Sequence, residues 1–131
     1  MTYALDTNII SYILNGDTAL SAKINYIAQR NEIIIPLIVY YEARRGLLAN
    51  NAVSKLKSFN KLCVSLNIQN LTVADVDTAA GLYAERKRTG TTIEDADLLI
   101  AAQCVTNGYT LVTNNTKHFS GINGLLYETW K

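Results

Sequence analysis

The sequence predicts an α/β domain on a mainly parallel sheet of four to five strands, flanked by helices. Short apolar runs alternate with longer stretches whose apolar residues recur at helical spacing, the pattern of strands joined by crossover helices. Ile33-Ile34-Ile35 shows no polar alternation, as a strand buried on both faces requires. Breaks at Asn15-Gly16, Asn50-Asn51, Gly90 and Asn107-Gly108 divide the stretches into elements.

In chain order, Tyr3, Ala4 and Leu5 make a short first strand that delivers Asp6. Ile9, Ile10, Ile13 and Leu14 then mark a helix that stops at Asn15-Gly16. A second helix runs from about Thr18 to Arg30, with Leu20, Ile24 and Ile27 inward. After the Ile33–Ile35 strand, Pro36 suits the first residue of a helix carrying Tyr40, Tyr41, Glu42 and Gly46. Beyond Asn50-Asn51, the next helix places Val53, Leu56, Phe59, Leu62 and Cys63 on one side. Asn70-Leu71-Thr72-Val73 reads as a third strand. Helices from about Asp75 to Thr89 and from about Ile93 to Thr106 follow. Tyr109 to Thr113 is a fourth strand and Leu125-Leu126-Tyr127 a fifth.

At 131 residues the chain has the length of one domain, and its 49% hydrophobic, 18% charged composition excludes intrinsic disorder. Twelve Lys/Arg against eleven Asp/Glu leave a net charge of +1, which excludes a basic coat over the whole surface but not a local basic patch. The N-terminus lacks a signal-like basic and apolar run, and no apolar stretch reaches the roughly 20 residues of a membrane span, so a cytoplasmic protein is expected. Cys63 and Cys104 lack metal-ligand spacing and read as small buried thiols. A single histidine, His118, excludes a His-rich zinc centre and two-histidine ribonuclease chemistry within one chain.

The carboxylates carry the functional signal. Asp6 leaves an apolar strand and enters a helix, so it stands at the carboxyl edge of the sheet, where open α/β sheets bind ligands. Asp is also a good N-cap, and the local pattern leaves capping and function equally open. Asp97 shares a helical stripe with Ile100, Ala101 and Cys104, where an ionised carboxylate needs a partner or a metal. Asp95 has a structural explanation, as the third residue of a near capping box begun by Thr92. Because Asp97 opens a helix that feeds the Tyr109–Thr113 strand, it lies at the same edge as Asp6, where Asn114 and Asn115 also leave the sheet. Glu42 is about 9 Å along its helix and joins them only if that helix leans across the sheet edge. Otherwise it pairs with Arg45 on the surface. Gly46 leaves open space beside it. Three carboxylates, an amide and no histidine suit a hard cation, Mg²⁺ or Mn²⁺, rather than zinc. The chemistry natural to such a cluster is phosphodiester hydrolysis.

These residues resemble the PIN-domain endoribonucleases of the VapC toxin type. The resemblance spans almost the whole chain. It rests on Leu5-Asp6-Thr7-Asn8, Tyr41-Glu42-Ala43-Arg44-Arg45-Gly46, Asp97-Leu98-Leu99-Ile100-Ala101-Ala102, Leu111-Val112-Thr113-Asn114-Asn115-Thr116 with Phe119, and the closing Gly124-Leu125 and Trp130. It implies a PIN-like three-layer sandwich and metal-dependent RNA cleavage by a toxin. Asp6, Glu42 and Asp97 match the acidic metal ligands. Asn115 matches a fourth catalytic position that is aspartate in many members, and its amide favours one firmly held ion, with another arriving alongside the phosphate. Thr7 and Thr113 match hydroxyls that support the ligands or the water, with Asn114 beside them.

The resemblance also implies a homodimer, a tRNA or ribosomal RNA substrate, and a cognate VapB-type antitoxin that blocks the site. Water attacking in line predicts products with 5′-phosphate and 3′-hydroxyl ends. Arg44 and Arg45 beside Glu42, and Arg86, Lys87 and Arg88 before the Gly90 loop, are candidates for RNA phosphate contacts; solvated helix surface is the plainer account. Tyr12, Tyr40, Tyr41 and Tyr83 are candidates for base stacking, although core packing explains most tyrosines. His118 is expected on the surface rather than as a catalytic base. A second reading is a PIN-like module that binds RNA or protein without cleavage, motivated by Asn115. A phosphatase with Asp6 as nucleophile would want another acid where Asn8 stands.

Overall fold

The structure, a computed structural model, describes residues 1–131. Strands β1 (Thr2–Leu5), β2 (Glu32–Pro36), β3 (Ile68–Gln69), β4 (Thr110–Val112) and β5 (Leu126–Glu128) form a parallel sheet in the order β3-β2-β1-β4-β5. Helices α1 (Thr7–Leu14) and α2 (Thr18–Ala28) connect β1 to β2, and α3 (Leu37–Ala49) and α4 (Val53–Leu66) connect β2 to β3. Helices α5 (Val73–Arg88) and α6 (Asp95–Asn107) connect β3 to β4, and α7 (Thr116–Phe119) precedes β5. This is the expected α/β class.

The strand order reverses between β1 and β4. The first three strands step outward in one direction, and the α5–α6 crossover returns the chain to the other flank of β1. Right-handed crossovers then place α1–α4 on one face and α5–α6 on the other, and open a crevice beyond the carboxyl ends of β1 and β4. Register fixes that corner: Leu5 pairs with Val112, and the Asp6 N–H donates to the Val112 carbonyl at 2.9 Å. Ala4, Leu5, Ile33, Ile34, Ile35, Leu111 and Val112 are buried in one core with Ile9, Ile10, Val39, Phe59, Leu98, Ile100 and Phe119. Trp130 packs edge-on against Tyr3, with ring centroids 5.0 Å apart, and donates its Nε1–H to Glu128 at 3.0 Å.

Several boundaries depart from the sequence expectations. The third strand is Ile68–Gln69, not Asn70–Val73, because Thr72 caps α5 instead. The Thr72 hydroxyl accepts from the Asp75 N–H at 3.1 Å while the Asp75 carboxylate accepts from the Thr72 N–H at 2.9 Å, a reciprocal cap that outweighs local β-propensity. Conversely, the box expected from Thr92 and Asp95 does not form. Helix α6 begins at Asp95 behind Glu94, with no side-chain cap, rather than near Ile93. The loop before it folds back on α5, where the hydroxyls of Thr89 and Thr91 donate to the Arg86 carbonyl. Pro36 ends β2 and precedes α3 rather than opening it, and the second helix stops at Ala28. Both cysteines are free; Cys63 is half-buried, and burial pushes the Cys104 thiol up to about 12. No helix is long and apolar enough to cross a membrane.

Candidate active site

Asp6 is set in the crevice by β1 and opens α1. An N-cap usually serves the N–H of the second or third helical residue. Asp6 Oδ1 accepts only from the first, Thr7, at 2.8 Å. Its Oδ2 accepts the Thr113 hydroxyl at 2.7 Å and the Asn8 amide at 3.2 Å, and the residue is 4% exposed. Burial holds its pKa above the ordinary 3.8; the bonds from Thr113 and Thr7 pull it back, while the charge of Asp97 pushes it further up.

Glu42 joins Asp6 through one residue. Thr7 gives its N–H to Asp6 and its hydroxyl to Glu42 Oε1, at 2.8 Å in each case. This is possible because α3 does lean across the sheet edge, packing against α1 and α6. The surface pairing with Arg45 is also present, at 3.9 Å, a distance and exposure at which an ion pair contributes little. A Cβ on Gly46 would meet nothing within 4 Å, and a groove of about 270 Å³ opens there between α1 and α3.

Asp97 stands in the first turn of α6 with Ile100, Ala101 and Cys104 buried along its stripe, while Asp95 is exposed. Its Oδ2 lies 2.9 Å from His118 Nδ1. Burial raises its pKa; the His118 contact lowers it, and the charges of Glu42 and Glu94 raise it. Asp97 therefore feels both Asp6 and Glu42 across the crevice. The carboxylates are not drawn into a finished chelate: no three His, Cys, Asp or Glu side chains stand close enough together to hold one ion.

The β4–α7 loop completes the site. Thr113 is fully buried, and its hydroxyl bonds Asp6 while accepting from the Asn115 N–H at 3.0 Å and the Asn8 amide at 3.4 Å. Asn8 Oδ1 accepts the Asn114 N–H at 3.1 Å, and the Asn114 amide donates to the Tyr12 hydroxyl at 3.3 Å. Asn115 precedes α7 as its N-cap without a side-chain cap bond, so its amide is free at the exposed edge. Sequence reasoning assigned Asn8 no role. Its position two residues past Asp6, with a donor and an acceptor on one side chain, was the available signal. His118 is exposed as expected, yet it is also the partner of Asp97.

The basic candidates separate. Arg44 donates to Asn60 at 3.1 Å and lies over the Tyr40 ring; Arg45 lies over Tyr41 and beside Glu42. Arg86 lines a cleft with Asp97, whereas Lys87 and Arg88 do not. Tyr40 stacks on Phe59, Tyr12 holds Asn114, and Tyr41 and Tyr83 stay at least half exposed.

Comparison with known proteins agrees with this arrangement. The PIN domain family matches residues 3–125. Ribonuclease VapC2 of Rickettsia felis is 33% identical, over 99% of this chain and 98% of its own length. The tRNA(fMet)-specific endonuclease VapC of Shigella flexneri is 26% identical over the same shares. In a crystal structure of Rickettsia felis VapBC2 bound to a promoter DNA fragment, one chain superposes with a TM-score of 0.90 at 32% identity, covering all of both chains. A VapBC complex from Salmonella typhimurium reaches 0.90 at 22% identity, a likeness of fold. The chain belongs to the PIN-domain family, among its VapC-type toxin ribonucleases.

Proposed function

We propose that Asp6, Glu42 and Asp97 together hold one Mg²⁺ or Mn²⁺ ion, and that the chain uses it to hydrolyse RNA phosphodiester bonds. The observation that carries this reading is the linked pair of Asp6 and Glu42 on Thr7, facing an Asp97 whose pKa is raised by burial and then by the charges of Glu42 and Glu94. Desolvated carboxylates with so little cationic counterweight fit a divalent ion, and an all-oxygen donor set fits a hard one. When bound, such an ion supplies Lewis acidity at a phosphoryl oxygen and a more acidic attacking water.

The protein's own groups do the rest. Thr113 and Asn8 fix the Asp6 carboxylate, leaving it little rotational freedom, and Thr7 aims Glu42. Asn115, with its side chain unengaged, stands where a phosphate oxygen or the water can be held. Water adds to phosphorus in line, the P–O3′ bond breaks, and O3′ leaves with the electron pair and takes a proton. The products carry 5′-phosphate and 3′-hydroxyl ends. Mapping the ends of RNA cleaved by the purified protein tests this, and a 2′,3′-cyclic phosphate would refute it, since that product needs the 2′-hydroxyl as nucleophile.

The biological setting is part of the same proposal: a single PIN domain over residues 1–131, acting in the cytoplasm as a homodimer, restrained by a VapB-type antitoxin. The VapBC complexes among its structural neighbours support the antitoxin, and the tRNA(fMet)-specific relative supports a tRNA substrate. The relatives named as ribonucleases and endonucleases support cleavage over a binding module that has lost it.

A further inference from the structure

Arg86 is the unexplained cation of this fold. It ends the buried part of α5, and its backbone is pinned, its carbonyl accepting the Thr91 N–H and the hydroxyls of Thr89 and Thr91. The guanidinium rests by the Gly121 turn, where an added Cβ would come within 3.7 Å of Nη1. Its Nε is shut away from solvent without any hydrogen-bond partner. Nor does it pair with a carboxylate: the chain's ion pairs are Arg45–Glu42, His118–Asp97 and Lys131–Asp17. Shielded cationic donors are normally satisfied, so a held but unpartnered guanidinium points to a ligand.

Its surroundings identify the ligand's chemistry. Arg86 shares a cleft of about 230 Å³ with Thr92, Glu94, Asp97, Lys117 and His118. A second lobe of about 260 Å³ shares Arg86, Thr92 and Ile93 and continues to Lys87 and Tyr83, so Arg86 stands at the junction of a groove leading away from Asp97. Lys117 is exposed and makes no ion pair, and Asp97 already has His118 against it, leaving Glu94 as the one unpaired acid against Arg86 and Lys117. A forked guanidinium and a mobile ammonium across a narrow polar cleft suit a phosphate.

We propose that Arg86, with Lys117 opposite, binds a backbone phosphate of single-stranded RNA next to the scissile one. The proposal rests on the nuclease reading for the identity of the strand, and it separates Arg86 from its neighbour Arg88, which lines neither lobe.

The test is binding of a fluorescein-labelled single-stranded RNA of about ten nucleotides, within the usual site size for such strands, to the full chain in EDTA. Anisotropy titrations across a salt series give affinity and its salt dependence. Arg86→Gln and Lys117→Gln are each expected to weaken binding about fivefold to tenfold and to reduce the slope of log K against log salt by up to about 0.7, the contribution of the one phosphate they share. Arg88→Gln is expected to change neither. Lys117 is exposed, so its variant reports even if Arg86→Gln folds poorly. Wild-type affinity and slope in both Arg86→Gln and Lys117→Gln overturn the proposal. So does an equal loss in Arg88→Gln, which would mean diffuse attraction. A parallel Mg²⁺ cleavage assay separates the two readings. Wild-type cleavage with indifferent variants refutes the phosphate subsite alone, whereas variant-dependent binding without cleavage in Mg²⁺ or Mn²⁺ refutes the nuclease reading and leaves the subsite standing.

Discussion

Replacing Thr113 by valine removes one hydroxyl from a fully buried position while keeping the side chain's shape. That hydroxyl donates to Asp6 Oδ2 at 2.7 Å and accepts the Asn115 N–H at 3.0 Å. A hydrogen bond to a charged group contributes about 1.5–3 kcal/mol, and the Asn115 N–H, at an exposed edge, can turn to water. The expected loss is about 2 kcal/mol at neutral pH. With a urea m-value of about 2 kcal/mol/M, the denaturation midpoint falls by about 1 M. The pH dependence carries the mechanism. This bond lowers the pKa of Asp6 in the folded protein, so its stabilisation belongs to the carboxylate form. It is present at pH 7 and is lost as pH falls through the folded pKa of Asp6, which lies above 3.8. Urea titrations at pH 7 and near the unperturbed value should therefore show a large difference between wild type and Thr113→Val that shrinks on acidification. A difference under about 0.5 kcal/mol at pH 7, or one that does not depend on pH, would refute the reasoning.

Further outcomes follow from the same site. Asp97→Asn should lower cleavage by at least about a hundredfold, the scale of losing a group that stabilises the transition state, without lowering the thermal midpoint at pH 7. The folded pKa of Asp97 is raised, so its ionised form costs stability once pH rises from 3.8 through that pKa; a destabilised variant in calorimetry contradicts this. Saturating Mg²⁺ or Mn²⁺ should stabilise the wild type, by about 2.7 kcal/mol at a hundred times Kd, and so raise its thermal midpoint, and should leave Asp6→Asn unmoved; indifference of the wild type speaks against the ion site. Asn115→Asp adds a charge at the exposed edge of the crevice and should tighten Mn²⁺ binding in titration calorimetry, and weaker binding would place Asn115 away from the ion.

The centre of the sheet was legible because β2, β4 and the end of β1 are buried, which leaves apolar runs such as Ile33–Ile35 that no other element explains, whereas β5 is exposed along its length. The crevice followed from topology, since a helix that feeds β4 must begin at the edge where β1 ends. What local pattern missed was decided by reciprocal polar contacts. Thr72 and Asp75 claimed each other and moved a helix start across an expected strand, while Thr92 and Asp95 did not. The same limit hid Asn8 and His118, whose importance lies in contacts with residues more than twenty positions away in sequence, Asn114 and Asp97. Glu42 illustrates the point from the other side. Its i,i+3 neighbour Arg45 was visible in the sequence, but the bond that places it in the site comes from Thr7, 35 residues earlier.

These contacts also explain how a neutral, fairly apolar chain can maintain a charged crevice. Asp6 is held by hydroxyl, amide and backbone donors rather than by a cationic side chain, and Glu42 takes a hydroxyl with Arg45 only distantly beside it. Neutral donors orient a carboxylate without cancelling its charge, so the crevice keeps its attraction for a cation. A close arginine in their place would occupy the electrostatic role that a divalent ion is proposed to fill. The one close nitrogen partner of an acid in the crevice, His118, lies 2.9 Å from Asp97 and is itself half exposed, so that contact stands open to solvent. The arrangement thus gathers its buried contacts on Asp6, the carboxylate nearest the core, and leaves Asp97 with one contact open to solvent beside the cleft it shares with Arg86.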